Sequence, residues 1–406
     1  MTGLPFANAS LLDEATAAGE AMFLAFNSLK QKRKDFFVSS NIYPFIKDLL
    51  RSKAYFLNIN IVEGDPNDAE IFKNNNFFGG IVQNPDSTGK VNDYTSFAEK
   101  LRENKAVAII SVDIASLLLT KSPKEMGFDI AIGSAQRFGV PMMNGGPHAG
   151  FLAAKDEFKR MLPGRIIGIS RDRFGNKAYR LTMQTREQHI KRDKATSNIC
   201  TAQALLANMS VFYSIFHGKQ GLIDISRRIN LLAMNLQSEL EKIGFVFVNK
   251  NNEIFDTVNF NCKKSGFSSS NEIVSYFEAN KINLRKINDE FVSLTINETT
   301  TLADIEELLN LFVNLKNKNG NLKAINITDF NWVNNTNSNS VTFSNNLRRE
   351  NLTEILQQDI FNKYSSETQL LRYIHFLQGK DISLCNSMIP LGSCTMKLNS
   401  TSELVN

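Results

Sequence analysis

Over its first 220 residues the chain alternates short apolar runs with helical stretches, and this alternation is what most narrows the folds open to it. The runs are Phe36-Phe37-Val38-Ser39, Tyr55 to Val62, Phe78-Gly79-Gly80-Ile81-Val82, Val107 to Val112, Asp129 to Ile132 and Gly150 to Ala153. Helical character begins near Ser10 and recurs over Tyr43 to Arg51. Nearly continuous apolar runs of this length, parted by helices, predict a mainly parallel sheet covered on both faces, an α/β large domain over 1–220. Sites in such sheets gather at the carboxyl ends of the strands. Asp113 and the turn from Gly133 to Arg137 fall at those ends and are the first places to look for chemistry.

A smaller α+β domain is expected over 221–316. It opens with a helix whose apolar positions include Leu222, Ile225, Ile229, Leu232 and Leu236. Strands at Phe245 to Val248, Phe255 to Cys262 and Phe291 to Ile296 alternate there with helices at Asn271 to Ala279 and Leu302 to Leu315. Residues 317–348 are rich in Asn, Ser and Thr and read as a linker. Helices return in 349–406, at Leu352 to Tyr364 and Glu367 to Leu377.

Hydrophobic residues at 42% and charged residues at 21% exclude a wholly disordered chain. Apolar runs such as Ile114 to Leu119 are too short to cross a bilayer, so no membrane span is expected. Met1 to Phe6 do not resemble a secretory leader. Cys200, Cys262, Cys385 and Cys394 lack the spacing of a zinc site or a disulfide framework and read as reduced thiols. Lys159 to Lys194 carries eleven Lys or Arg against three Asp or Glu. Such a stretch can draw an acidic protein, a phosphate or nucleic acid, or it can be a solvated face. It contains no recognised nucleic-acid motif, which leaves a nucleic-acid-binding module the weakest reading.

Several segments carry more specific information. Ala7 to Ala18 places Ser10 as an N-cap ahead of an Ala-rich helix, with Asp13 three residues on and Asn8 just before; a helix start of this kind satisfies its own amides or receives an anion. Gly127 to Pro141 runs from a strand into a turn holding Gln136 and Arg137 and continues to Gly145-Gly146-Pro147-His148. With Arg180 to Ile190 and Ala195 to Gln203, these segments resemble the amino-terminal half of the glycine decarboxylase (P-protein) family. The resemblance extends through Ile282 to Ile287, Asn297 to Thr301 and Ser387 to Asn399, and so covers nearly all the chain except the Asn-rich stretch. Met143-Asn144, Gly19 and Asn297 depart from the family's usual residues.

The resemblance implies an aminotransferase-like fold, that of fold type I pyridoxal phosphate enzymes, built as two similar halves. It also implies a reaction in which glycine loses carbon dioxide and its aminomethyl group passes to the lipoyl arm of the H-protein. The Schiff-base lysine belongs to the second half, in a His-Lys-Thr motif, and no His-Lys pair occurs here. Gln136 stands at the lysine's counterpart position, and Asp113 where such folds hold the acid that pairs with the pyridinium nitrogen. Asn8, Ser10, Asp13, Arg137 and His148 become active-site-facing or interface candidates, and Ser393, Thr395 and Lys397 cofactor-binding candidates. None of His148, His189, His217 and His375 is assigned a catalytic role. The expected partners are the lysine-bearing second half, the lipoyl H-protein and glycine, in a homo-oligomer when complete, with neither membrane nor nucleic acid. The compartment is the cytoplasm if the source is bacterial and the mitochondrial matrix if it is eukaryotic. The chain is further expected to begin and end inside the family's pattern, as an accessory piece without its own imine. An independent aminotransferase-like pyridoxal enzyme, carrying an imine on another lysine, is the alternative.

Overall fold

The protein is described here by a computed structural model, which describes residues 1–8, 10–74, 76–142, 146–164, 166–181, 192, 203–317 and 343–380. Its centre is a seven-stranded sheet. The strands are β1 (Phe6–Ala7), β2 (Asp35–Ser39), β3 (Asn60–Gly64), β4 (Phe77–Asn84), β5 (Val107–Val112), β6 (Ile130–Ser134) and β7 (Gly150–Ala154), in the order β1-β7-β6-β5-β4-β2-β3. From β6 to β3 all neighbours are parallel, whereas β7 runs antiparallel to both β6 and β1. This is the mainly parallel sheet that the apolar runs predict.

Every residue of β4 and β5 is buried, because helices cover both faces. The two-residue period of the strands sorts side chains between two cores. Phe36, Val38, Val107 and Ile109 meet helices α1 (Glu14–Ser28) and α2 (Pro44–Leu57) on one side. Phe37, Ala108, Ile110 and Val112 meet α3 (Ala69–Asn74) and α4 (Thr95–Glu103) on the other. Gly79 and Gly80 lie between Phe rings of the two cores. A Cβ on Gly79 would come 3.3 Å from the Phe36 ring, and one on Gly80 3.2 Å from the Phe97 ring.

Helix α1 begins later than the sequence suggests. Asp13, not Ser10, is its N-cap, accepting from the Thr16 amide at 2.7 Å. Ser10 instead lies beside the Leu11 to Gly150 bridge, where the backbone is engaged with the sheet edge. Tyr55 to Leu57, expected in a strand, complete α2, and Asn58 in a left-handed conformation closes that helix before β3.

Helix α5 (Ala204–Lys242) begins well before Gly221, and its helical backbone is broken at Gly218 (φ 62°, ψ −179°). A Cβ there would lie 2.7 Å from the Phe361 carbonyl oxygen, so both the conformation and the space require glycine. The break restarts the apolar periodicity, which is why a helix beginning near Gly221 is read from the sequence. The second half of α5 packs with β10 (Thr257–Asn261), β11 (Arg285–Lys286), β12 (Phe291–Thr295), α6 (Ser270–Ala279) and α7 (Leu302–Lys316). The strands form an antiparallel sheet in the order β10-β12-β11. Phe245 to Val248, expected as a strand, makes only the isolated Phe247 to Phe260 bridge.

Residues 318–342 lie outside the described residues, but two residues of 343–348, expected as linker, are anchored in the core. Phe343 and Leu347 are buried, and Arg349 beside them donates to the carbonyls of Leu117 (2.6 Å) and Met1 (2.8 Å). The helix expected over Leu352 to Tyr364 is two short turns, because Leu356 takes a positive φ of 46° and interrupts it. Helix α8 (Glu367–Gln378) is present and buries none of its residues. Among the described residues no helix is long and apolar enough to cross a membrane.

Phe312 is fully buried against Phe277, Phe245 and Phe260, with ring centroids at 4.5, 5.0 and 5.7 Å. Phe312→Ala should therefore cost about 3–5 kcal/mol in denaturant unfolding, by lost burial and a residual cavity. A cost under about 1 kcal/mol would show that this cluster does not hold the antiparallel sheet together.

Candidate functional site

The parallel strands end at a cavity of about 130 Å³. Its lining combines Val112 and Asp113 at the end of β5, Ser134 and Arg137 at the end of β6, Gln83, Pro85, Asp86 and Gly89 around the end of β4, and Glu14 and Tyr43 at the starts of α1 and α2. Asp256, Thr257 and Thr295 close it from the antiparallel sheet. Gly89, with φ +87°, lets the β4 loop meet that sheet, since a Cβ would lie 2.4 Å from the Thr257 carbonyl oxygen.

Arg137 occupies the middle. Its Nη2 donates to Asp256 Oδ2 at 2.5 Å, and its Nη1 lies 3.1 Å from Asp113 Oδ2, an ion pair without hydrogen-bond alignment. The guanidinium also lies over the Phe255 ring, 5.7 Å from its centroid. Burial acts against its charge, but the two aspartates outweigh that and hold it firmly protonated. Asp113 is itself fixed by the Ser116 amide, which donates to Oδ1 at 2.8 Å. Burial pushes the Asp113 carboxyl upward against the pull of Arg137.

Glu14 points inward from the first turn of α1 and accepts from the Ser111 hydroxyl. Although part of the residue keeps contact with solvent, its carboxyl lies deep in the protein. Burial raises it to about 7; the Ser111 hydrogen bond opposes the rise, and the nearby charges of Asp113 and Asp13 add to it. Burial likewise pushes the Tyr43 phenol well above its usual range.

Of the residues singled out from the sequence, Asp113 and Arg137 line this cavity. Gln136 is alongside, its Nε2 donating to the Pro147 carbonyl at 3.0 Å, and His148 Nδ1 lies 3.1 Å from the Ser134 hydroxyl. Asp13 is used as a helix cap. Asn8 is elsewhere: its Oδ1 accepts from the Leu152 amide at 3.0 Å, and its Nδ2 has no partner among the described residues. Ser10 lines a second, largely apolar cavity of about 270 Å³. Ser393, Thr395 and Lys397 lie outside the described residues. Glu14, Tyr43 and Asp256 were not identified from the sequence. Glu14 carried a faint signal as an acid in a first helical turn, but Asp256 is 119 residues from Arg137 and nothing local marks it.

No Lys is among the lining residues, which hold four acids, Glu14, Asp86, Asp113 and Asp256, and one guanidinium, that of Arg137. Among the described residues no group of three or more His, Cys, Asp or Glu is placed to hold a metal ion. The arrangement can hold a proton on Glu14 and a fixed cation between two carboxylates; it offers no amine for an imine.

Glu14 should make stability pH-dependent in a definite direction. The folded protein keeps a proton that the unfolded chain releases near 4.5, so stability present at low pH is lost as pH rises from about 4.5 to about 7. Glu14→Gln should remove up to about 3 kcal/mol of that loss. Parallel stability–pH curves for the two proteins would show that the carboxyl ionises normally.

Comparison with known proteins places this geometry. The sequence profile of the family described as "Glycine cleavage system P-protein" matches residues 1–312. A protein of Solanum tuberosum named mitochondrial glycine dehydrogenase (decarboxylating) is 45% identical over 405 residues, covering 100% of this chain and 37% of its own length. The glycine dehydrogenase (decarboxylating) of Photobacterium profundum is 44% identical over 406 residues, 100% of this chain and 40% of its own length. The chain thus spans about two-fifths of the relatives it matches. Among solved structures, a glycine decarboxylase (P-protein) of the glycine cleavage system in inhibitor-bound form superposes with a TM-score of 0.70 at 28% identity, covering 77% of this chain and 72% of that one. The aminotransferase-like α/β fold expected from the motifs is the fold observed, and the chain belongs to the glycine cleavage system P-protein family.

Proposed function

We propose that this chain is the non-catalytic half of a glycine decarboxylase. In this reading the complete enzyme removes carbon dioxide from glycine and passes the aminomethyl group to the lipoyl arm of the H-protein. Pyridoxal phosphate, when bound to the lysine-bearing half, supplies the electron sink for that decarboxylation. The present chain contributes an ordered large α/β unit and a smaller one that complete and cover the other half's site. The compartment follows the relatives, the cytoplasm in a bacterium or the mitochondrial matrix in a eukaryote.

One observation carries the accessory role. At the strand ends, Gln136 donates its amide to the Pro147 carbonyl, and Asp113 is paired with Arg137. The residues present therefore do not fit pyridoxal phosphate: no lining amine can form the imine, the candidate pyridinium partner is already engaged, and the acidic lining disfavours a phosphate dianion. An independent pyridoxal enzyme has correspondingly little support.

The basic stretch contains a hairpin, β8 (Ile167–Arg171) paired with β9 (Lys177–Leu181). Ile169, Phe174 and Tyr179 are exposed on it, among Arg171, Arg173, Lys177 and Arg180. A mixed apolar and cationic surface suits the second half, a neighbouring subunit or the lipoyl carrier.

Borohydride reduction in the presence of pyridoxal phosphate should label a lysine of the second half and none of this chain. Carbon dioxide release from glycine should require both halves and the lipoyl H-protein. A reduced imine mapped to this chain would sink the accessory reading. The charge reversals Arg171→Glu and Arg173→Glu together should weaken association with the second half or with the carrier at least several-fold; unchanged binding to both would remove the hairpin from either contact.

A further inference from the structure

The Arg137 guanidinium is held by groups from both sheets. Asp113 immediately follows β5 of the parallel sheet, Asp256 immediately precedes β10 of the antiparallel sheet, and the Phe255 ring lies under the guanidinium. The turn carrying Arg137 is itself anchored. The Phe138 amide donates to the Ala135 carbonyl at 2.9 Å, the Ser210 hydroxyl of α5 donates to the same carbonyl at 3.0 Å, and buried Phe138 stacks on Tyr213 at 5.7 Å. Arg137 therefore approaches the aspartates from a fixed base, and the planar fork loses little freedom on binding them. Among the lining residues it is the only Lys or Arg; Arg285 lies just outside, over the Tyr43 ring at 5.1 Å.

We propose that Arg137 is a built-in cationic ligand of this cavity: its guanidinium fills the place of a small planar cation between Asp113 and Asp256 and clamps the antiparallel sheet onto the strand ends of the parallel one. This goes beyond the accessory role and stands without it, since it concerns only residues of this chain. Two features require the cation to be planar and forked. The aspartates approach different terminal nitrogens, and the guanidinium carbon lies over the Phe255 ring, 5.7 Å from its centroid. Asp256 accepts from Nη2 while Asp113 is paired with Nη1 by charge alone, so the guanidinium spreads its charge over two terminal nitrogens toward two carboxylates, whereas an ammonium presents all its donors from one nitrogen.

The clamp works beside other links between the sheets. Arg285 donates to the Ser87 carbonyl at 2.6 Å, and Asn249 Nδ2 to the Thr88 carbonyl at 2.8 Å. Those links join the β4 loop to β11 and to the segment before β10, whereas Arg137 joins the ends of β5 and β6 to Asp256. Removing it leaves two carboxylates facing each other in a partly dehydrated space, which is costlier than never having had the pair.

The test uses the full chain. Arg137→Ala should lower Tm by roughly 5–10 °C. Methylguanidinium chloride at about 10 mM, far too dilute to act as a denaturant, should recover at least half of the loss. Methylammonium at the same concentration should recover none, and the unaltered protein should respond to neither. An unchanged Tm, or equal responses to both cations, overturns the proposal. Should Arg137→Ala fail to fold, Asp256→Asn keeps the shape and removes one arm of the clamp. It should lower Tm and speed tryptic cleavage after Arg137, whose side chain the clamp holds inside the cavity, and unchanged behaviour overturns the clamp. Complementation of the lysine-bearing half reads separately: its failure with cation rescue intact would sink the accessory role alone, and rescue failing with complementation intact would sink the clamp alone.

Discussion

The structure depends first on β4 and β5 being buried on both faces. A strand with no solvent side needs a neighbour on each edge and a layer above and below, and parallel strands meet that need through helical crossovers. Everything at the site follows from it. The crossovers bring the carboxyl ends of β4, β5 and β6 to one edge, so that Gln83, Asp113, Ser134 and Arg137 converge although they are scattered along the chain. Helix α1 packs across the same sheet and delivers Glu14 to that edge from its first turn. The polar cavity is thus a by-product of apolar packing, placed where the sheet stops and the second sheet begins.

What gathers there is an electrostatic arrangement with little freedom to exchange. Arg137 lies between two aspartates contributed by different sheets, and Glu14 keeps its proton into the neutral range because the site is poorly hydrated. In the family's reaction an amine must sit near such an edge to receive a carbonyl. Here a carboxamide and a guanidinium stand at the turn.

The parts legible in the sequence were those written locally. The apolar runs at Phe36, Phe78 and Val107 marked central strands because burial on both faces requires continuous apolarity, and Asp113 and Arg137 followed from the rule about strand ends. Helix limits were less legible. Asp13 and Ser10 are both acceptable caps, and only the pairing of Leu11 with Gly150 decides between them. Tyr55 and Phe56 suggested a strand by composition, but they are the exposed end of α2. Partners distant in sequence left no trace. Asp256, Glu14 and the docking of Arg349 onto the Leu117 carbonyl depend on tertiary placement that no local pattern encodes. Sequence resemblance to the P-protein family supplied the fold; it did not supply the ion pairs.

Helix α8 has a consequence for the protein as a colloid. It buries none of its residues, and Leu371 and Phe376 are 65% and 57% exposed, with Ile374 and Leu377 beside them. Apolar side chains presented together on one short helix make contacts between molecules favourable in proportion to concentration. Left uncovered, α8 adds one more apolar patch to those that Tyr55 and Phe56 at the end of α2 and Ile169, Phe174 and Tyr179 on the hairpin already present to solvent. Covering α8 would thus be a matter of solubility before it was one of chemistry.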